Sequence, residues 1–139
     1  MHNWPNGNVR ETGEFQEDLR EGLWIFRYED NVKSTEGEFL HGKPHGLWKT
    51  YDEKGNPESE GRYENGQHVG EWRTLHPNGQ KALLQNFVQD KLNGLETEFD
   101  DHGRKRRETQ WVNNKRHGWE IRWNEAGEEI SRKLFHQGK

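Results

Sequence analysis

The chain has 139 residues, of which 27% are apolar and 33% charged, with a net charge of −4 and no cysteine. This excludes a disulfide framework, a thiolate nucleophile and a cysteine-based metal site, and no apolar run approaches the roughly 18 residues of a membrane-spanning helix. The composition is close to that of disordered chains, yet seven Trp, six Phe and three Tyr fall in a regular register, which a disordered chain lacks.

Met1–Gly7 has neither a basic end nor an apolar segment, so no signal peptide is expected there and the expected compartment is the cytoplasm. The first predicted strand runs from about Val9 to Phe15. From there the chain superimposes on itself when shifted by 24 residues. Gly22, Gly46, Gly70, Gly94 and Gly118 form one series, and Phe15, Phe39, Tyr63, Phe87, Trp111 and Phe135 a second. Turn residues form two more: Gly7, Asn31, Gly55, Gly79, Gly103 and Gly127, and Asp18, Gly42, Gly66, Asp90, Asn114 and Gly138. A fixed period of this length marks a repeat architecture.

Each unit reads as two strands and two turns. In the second, Gly46–Tyr51 is a predicted strand, Asp52–Asn56 a turn and Glu58–Glu64 a strand, and Asn65-Gly66 supplies the two positive-φ positions of a type I′ hairpin. Frequent Gly and Asn leave no room for helix. About eleven strands follow, the last near Glu129–Phe135. Short connections make sequential strands antiparallel neighbours. The expected fold is all-β: a single elongated antiparallel meander sheet of about five 24-residue hairpin repeats, forming one domain over residues 1–139. Phe15, Trp24, Phe39, Trp48, Tyr63, Trp72 and Phe87 lie on successive strands and are expected to stack into a spine on one face. Gly37 and Gly61, two residues before Phe39 and Tyr63, are expected to leave room for neighbouring rings.

The stretch Glu36-Gly37-Glu38-Phe39, followed by Gly42-Lys43-Pro44-His45-Gly46, resembles the MORN repeat, and the resemblance covers nearly the whole chain. Gly46-Leu47-Trp48 and Gly70-Glu71-Trp72 are closer to the bacterial variant of that repeat found in the YwqK-like antitoxin family. The resemblance implies a non-enzymatic protein-binding module, an antitoxin or immunity protein that neutralises a co-encoded toxin by direct binding. The alternative it implies is a structural scaffold that tethers proteins or membrane phospholipid.

Later units depart from the pattern. Trp24, Trp48 and Trp72 give way to Glu96 and Glu120, Leu23 and Leu47 are answered by Trp119, and Gly61 is matched by Gln85, Thr109 and Lys133. Such departures mark end-capping or a binding surface, or simple drift. Residues that break the pattern and remain large are the candidate partner contacts: Arg27, Arg106, Arg107, Trp111, Trp119 and Trp123, with Tyr51 and Arg73 as neighbours in register; Trp and Arg are the residues most enriched in hot spots. A competing account makes Trp119 and Trp123 caps of the spine.

Other chemistry finds less support. His41 and His45 flank a Gly-Lys-Pro turn and read as turn residues, not metal ligands. Glu58 and Glu60, Glu96 and Glu98, and Asp100 and Asp101 are paired carboxylates without the pocket that glycosidase chemistry needs. No nucleophile elbow, phosphate loop or dinucleotide motif is present. The run Arg104-Lys105-Arg106-Arg107 divides between the two faces of a strand, and the whole chain is acidic, so nucleic acid is not expected as a partner. Residues 1–66 hold 14 Asp/Glu against 8 Lys/Arg, and residues 67–139 hold 11 against 13, so the acidic half suits a basic partner. The expectations are no enzyme, no cofactor, no metal, a protein partner, and a monomer or one-to-one heterocomplex.

Overall fold

The computed structural model describes residues 2–139, and among these every regular element is a β-strand. The chain divides into two compact units, Met1–Gln67 and His68–Lys139.

Unit 1 holds β1 (His2–Asn3), β2 (Val9–Gln16), β3 (Leu19–Arg27), β4 (Lys33–Leu40), β5 (Lys43–Tyr51) and β6 (Pro57–Glu64). Each strand pairs antiparallel with the next. Unit 2 takes all but the first residue of β7 (Gln67–Leu75), then β8 (Lys81–Val88), β9 (Lys91–Leu92), β10 (Gly94–Phe99), β11 (Lys105–Val112), β12 (Lys115–Trp123) and β13 (Glu129–Phe135). It too is an antiparallel meander, with β8 pairing β7, β9 and β10. The predicted strands recur. β1 is additional, and so is β9, a short strand that precedes β10 and is separated from it by Asn93.

The turns follow their residues. Asn65 and Gly66 have φ of 51° and 81°, as a type I′ hairpin requires, and His41 occupies the equivalent first turn position with φ 52°. In the other connection Asp52 Oδ1 accepts the backbone N–H groups of Lys54 and Asn56, both at 2.9 Å, and so closes its own loop.

One feature of the strands was not predicted. β5 begins at Lys43, three residues before the expected start, and Gly46 sits inside it. Gly37 pairs with Trp48 but Glu38 pairs with His45, so Gly46 and Leu47 are extra on β5. Gly46 has φ 77°, a left-handed conformation that glycine adopts without steric cost. The register shifts in the same way opposite Gly22 on β3 and Gly118 on β12. Gly22, Gly46 and Gly118 of the glycine series therefore sit at β-bulges.

The core of unit 1 is the aromatic spine. Trp24 is 1% exposed, Trp48 8% and Phe39 9%. Their rings meet edge to face in sequence: Phe15–Trp24 at 5.0 Å, Trp24–Phe39 at 6.1 Å, Phe39–Trp48 at 5.1 Å and Trp48–Tyr63 at 5.8 Å. Each buried Trp contributes on the order of 4 kcal/mol by area. The ring of Trp24 lies over Gly13 and that of Trp48 over Gly37, which is the packing role expected of glycine here. Each indole N–H donates to a backbone carbonyl, Trp24 to Glu14 and Trp48 to Glu38, both at 3.1 Å. The Arg20 guanidinium lies 4.8 Å from the Trp24 ring and pairs with buried Glu11 at 3.3 Å. In unit 2 the spine begins with Trp72 and Phe87, 6.3 Å apart.

Candidate functional site

Strand alternation separates the side chains into two faces. The spine face carries the Trp and Phe series. The opposite face carries Leu23, Ile25 and Arg27 on β3, Glu36 and Glu38 on β4, Leu47, Lys49 and Tyr51 on β5, and their equivalents in unit 2.

The candidate contact residues divide between these faces and between the two units. Arg107 and Trp111 are on the spine face; Arg27, Tyr51, Arg73, Arg106, Trp119 and Trp123 are on the opposite one. Arg107 pairs with Glu98 at 2.9 Å and lies 3.7 Å from Glu96. Trp111 is half-buried, and its indole N–H is buried without a hydrogen-bond partner. Arg73 pairs with Glu71 at 3.1 Å. Arg27 donates to the Asn31 carbonyl at 3.3 Å. Arg106 and Trp123 border one hollow near the β10–β11 connection. Trp119 is 42% exposed, opposes Leu134 across β12 and β13, and carries the Arg132 guanidinium 5.3 Å from its ring. It faces away from Trp111 and Phe135 and does not extend the spine.

On the spine face of unit 2 the aromatic rows end in a buried polar network. Glu96 and Glu120, at the repeat positions of Trp24 and Trp48, are 7% and 4% exposed. Gln85 donates to Glu96 at 2.7 Å. Glu120 accepts from the Thr109 hydroxyl and from Arg122, both at 3.3 Å, with Arg116 at 3.7 Å. Arg116 is the counterpart of Arg20 and stacks 4.1 Å from the Phe135 ring. A buried carboxylate left unpaired would be strongly destabilising, and these partners remove that penalty. The Trp-to-Glu departures are internal, and they offer a partner little surface.

The opposite face shows the reverse: large apolar residues where water has access. Leu23, Leu47, Leu95 and Trp119 hold the same position in four of the five repeats and are 55%, 43%, 41% and 42% exposed. Each follows the positive-φ glycine of its unit, Gly22, Gly46, Gly94 or Gly118. A bulge re-aims the next side chain, so the local backbone explains why these residues point outward. Leu23 and Leu47 lie two strands apart in unit 1, as do Leu95 and Trp119 in unit 2, a spacing of roughly 10 Å. Glu71 holds the same position in the remaining repeat. Of these four only Trp119 was among the sequence candidates; Leu23, Leu47 and Leu95 were not, although their places after Gly22, Gly46 and Gly94 gave the signal.

Polar anchors lock the strand ends beside this ladder. The Tyr51 hydroxyl donates to Glu36 Oε1 at 2.6 Å, and Lys33 donates to Glu36 Oε2 at 3.0 Å. Burial, then the hydrogen bond to Glu36, pushes the Tyr51 phenol up to about 12. The same hydrogen bond is the main reason the Glu36 carboxyl is held below its ordinary value. Among the described residues no group of three or more His, Asp or Glu side chains is placed to share a metal ion, and no helix is long and apolar enough to cross a membrane.

Comparison with known families matches residues 44–66 to the MORN repeat variant. That segment spans all of β5 but Lys43, together with β6 and the hairpin turn at Asn65-Gly66, one structural unit of the repeat. No curated protein matches the chain.

Proposed function

We propose that this chain is a non-enzymatic protein-binding scaffold that engages its partner through the ladder face. The carrying observation is a pair of outward apolar residues in each unit, Leu23 and Leu47 in unit 1 and Leu95 and Trp119 in unit 2, each following a positive-φ glycine at one position of its repeat. A solvated face under no other constraint favours polar residues at such positions, because antiparallel sheets alternate apolar inward with polar outward. Regularly spaced apolar groups on a pleated surface suit a partner that lies across several strands. The match of residues 44–66 to a MORN repeat variant supports a scaffold in general terms.

The finer reading, in which the partner is a co-encoded toxin neutralised by direct binding, follows from the family resemblance of Gly46-Leu47-Trp48 and Gly70-Glu71-Trp72. The scaffold reading is preferred because it rests on the exposed ladder itself. Affinity capture of the tagged chain from its native cells, followed by mass spectrometry and sizing, tests it. Wild type should retain a stoichiometric protein partner that Leu47→Ser/Trp119→Ser loses and the spine-face variant Lys133→Ser keeps. Retention by the ladder variant, or recovery of lipid alone, contradicts the proposal.

A further inference from the structure

Around Leu23 the ladder face is acidic in a way the chain does not itself balance. Glu14 and Glu21 are directly opposed on β2 and β3, and Glu38 of β4 is directly opposed to Leu23. Like charges directly opposite on one face of a sheet are destabilising. Two other strand carboxylates of unit 1 are answered internally, Glu11 by Arg20 and Glu36 by Lys33. Among the described residues neither Glu14 nor Glu38 has an ion-pair partner. Glu21 accepts the His41 backbone N–H at 2.8 Å, with the largely exposed His41 ring 3.9 Å away. The β2–β3 turn adds Glu17 and Asp18. Between Glu14 and Leu23 the surface has a shallow notch of about 480 Å³ whose floor includes Thr12 and Ile25.

We infer that the unit 1 end of the ladder takes a cationic, aliphatic protein segment, with an apolar side chain on Leu23 and Lys or Arg side chains against Glu14, Glu21 and Glu38. This rests on the reading of the ladder face as a binding surface and adds the chemistry of the partner. The partner's cations supply the charge that the opposed carboxylates lack, and Leu23 supplies apolar contact between them. Nucleic acid and anionic lipid are repelled from the same place. Rim charges of this kind steer association and set its salt dependence more than they set affinity. At 1 M salt, with a screening length of about 3 Å, most of the steering should vanish.

The test uses the full chain and three synthetic peptides: one alternating lysine and leucine, one alternating glutamate and leucine, and one of lysine alone. The lysine–leucine peptide should bind most tightly and lose affinity as salt rises. Glu14→Gln/Glu21→Gln/Glu38→Gln should weaken it by roughly tenfold, the range expected for three ion pairs at the surface. Glu53→Gln/Glu58→Gln/Glu64→Gln, with the same net charge, should leave it unchanged. Leu23→Ser should bring the lysine–leucine peptide down to the level of the lysine peptide. Equal effects of the two triple variants, or equal binding of the glutamate–leucine peptide, overturn the inference. So does self-association of the free chain that the first triple variant alone abolishes, which would make a second copy the occupant. Melting temperatures of both triple variants establish that they are folded. Because capture of the native partner by Leu47→Ser/Trp119→Ser is a separate readout, the ladder reading and its cationic refinement can fail independently.

Discussion

Gly37 lies directly beneath the indole of Trp48: a Cβ placed at position 37 falls 2.1 Å from Trp48 Cδ2. The ring atoms there belong to the fused core of a side chain that is 8% exposed, so nothing flexible can yield. Gly37→Ala should therefore destabilise the fold by about 2–3 kcal/mol through overpacking, a fall of at least about 8 °C in Tm. Gly22→Ala has a different cause. No atom lies within 4 Å of its added Cβ, but φ is +73°, and the cost is conformational, about 1–2 kcal/mol. Thermal melts of the two variants, with Trp48→Ala/Gly37→Ala as a third, separate the mechanisms: removal of the ring should abolish the penalty at position 37.

The exchange of Trp and Gly for Glu and Thr in the last repeat is a coupled replacement. Glu120 is directly opposite Thr109, where unit 1 places Trp48 opposite Gly37, and Thr109 is 2% exposed. Glu120→Trp alone should be severely destabilising, since the new ring meets the Thr109 side chain. Combined with Thr109→Gly it should recover part of the loss, with a coupling energy of about 1–3 kcal/mol in a double-mutant cycle. Additive effects in urea denaturation would show that the two positions are independent.

Burial of the Tyr51 phenol, with its hydrogen bond to Glu36, predicts a difference in the alkaline limb of stability. The folded Tyr51 phenol is held at about 12 against an ordinary 10.0, so between these values the folded chain keeps a proton that the unfolded chain has released. The contribution is complete below pH 10 and is lost as pH rises toward 12. Tyr51→Phe should remove it, so the urea midpoint of wild type should fall more steeply above pH 10 than that of the variant. Glu36 acts with the opposite sense, its contribution being present above the ordinary carboxylate value and lost as pH falls through its lowered one. Parallel midpoints from pH 9 to 12 would argue against a Tyr51 phenol raised by burial and the Glu36 bond.

Substitution of Trp119 should separate binding from folding. It is 42% exposed and lies opposite Leu134 on the ladder face, away from Trp111 and Phe135. Trp119→Ala should lower Tm by no more than about 4 °C, corresponding to about 1 kcal/mol, and should weaken partner capture. A larger fall in Tm with binding intact would restore the view of Trp119 as a structural cap.

Period, strand type and hairpin turns were legible because each depends on local chemistry. Asn65-Gly66 supplies two positive φ values, and alternation carries Phe39 and Trp48 to one face. The bulges were not legible. Gly46 reads equally as a strand start or as an insertion within a strand, and only the register with β4 decides between them. That uncertainty hid the ladder, because whether Leu47 points outward depends on the bulge before it. Glu96 and Glu120 misled for another reason. Glutamate in a sequence signals solvent, yet here Gln85, Thr109, Arg116 and Arg122 make burial tolerable. The paired change of Gly to Thr109 was the available sign of an internal substitution.

The most direct test of the ladder as the binding face is hydroxyl-radical footprinting of the free chain and of its captured complex, read residue by residue. The account predicts protection in the complex at Leu23, Leu47, Leu95 and Trp119, with Trp111 and Phe135 on the spine face unchanged. Protection confined to Trp111 and Phe135, with the ladder as reactive as in the free chain, would contradict it.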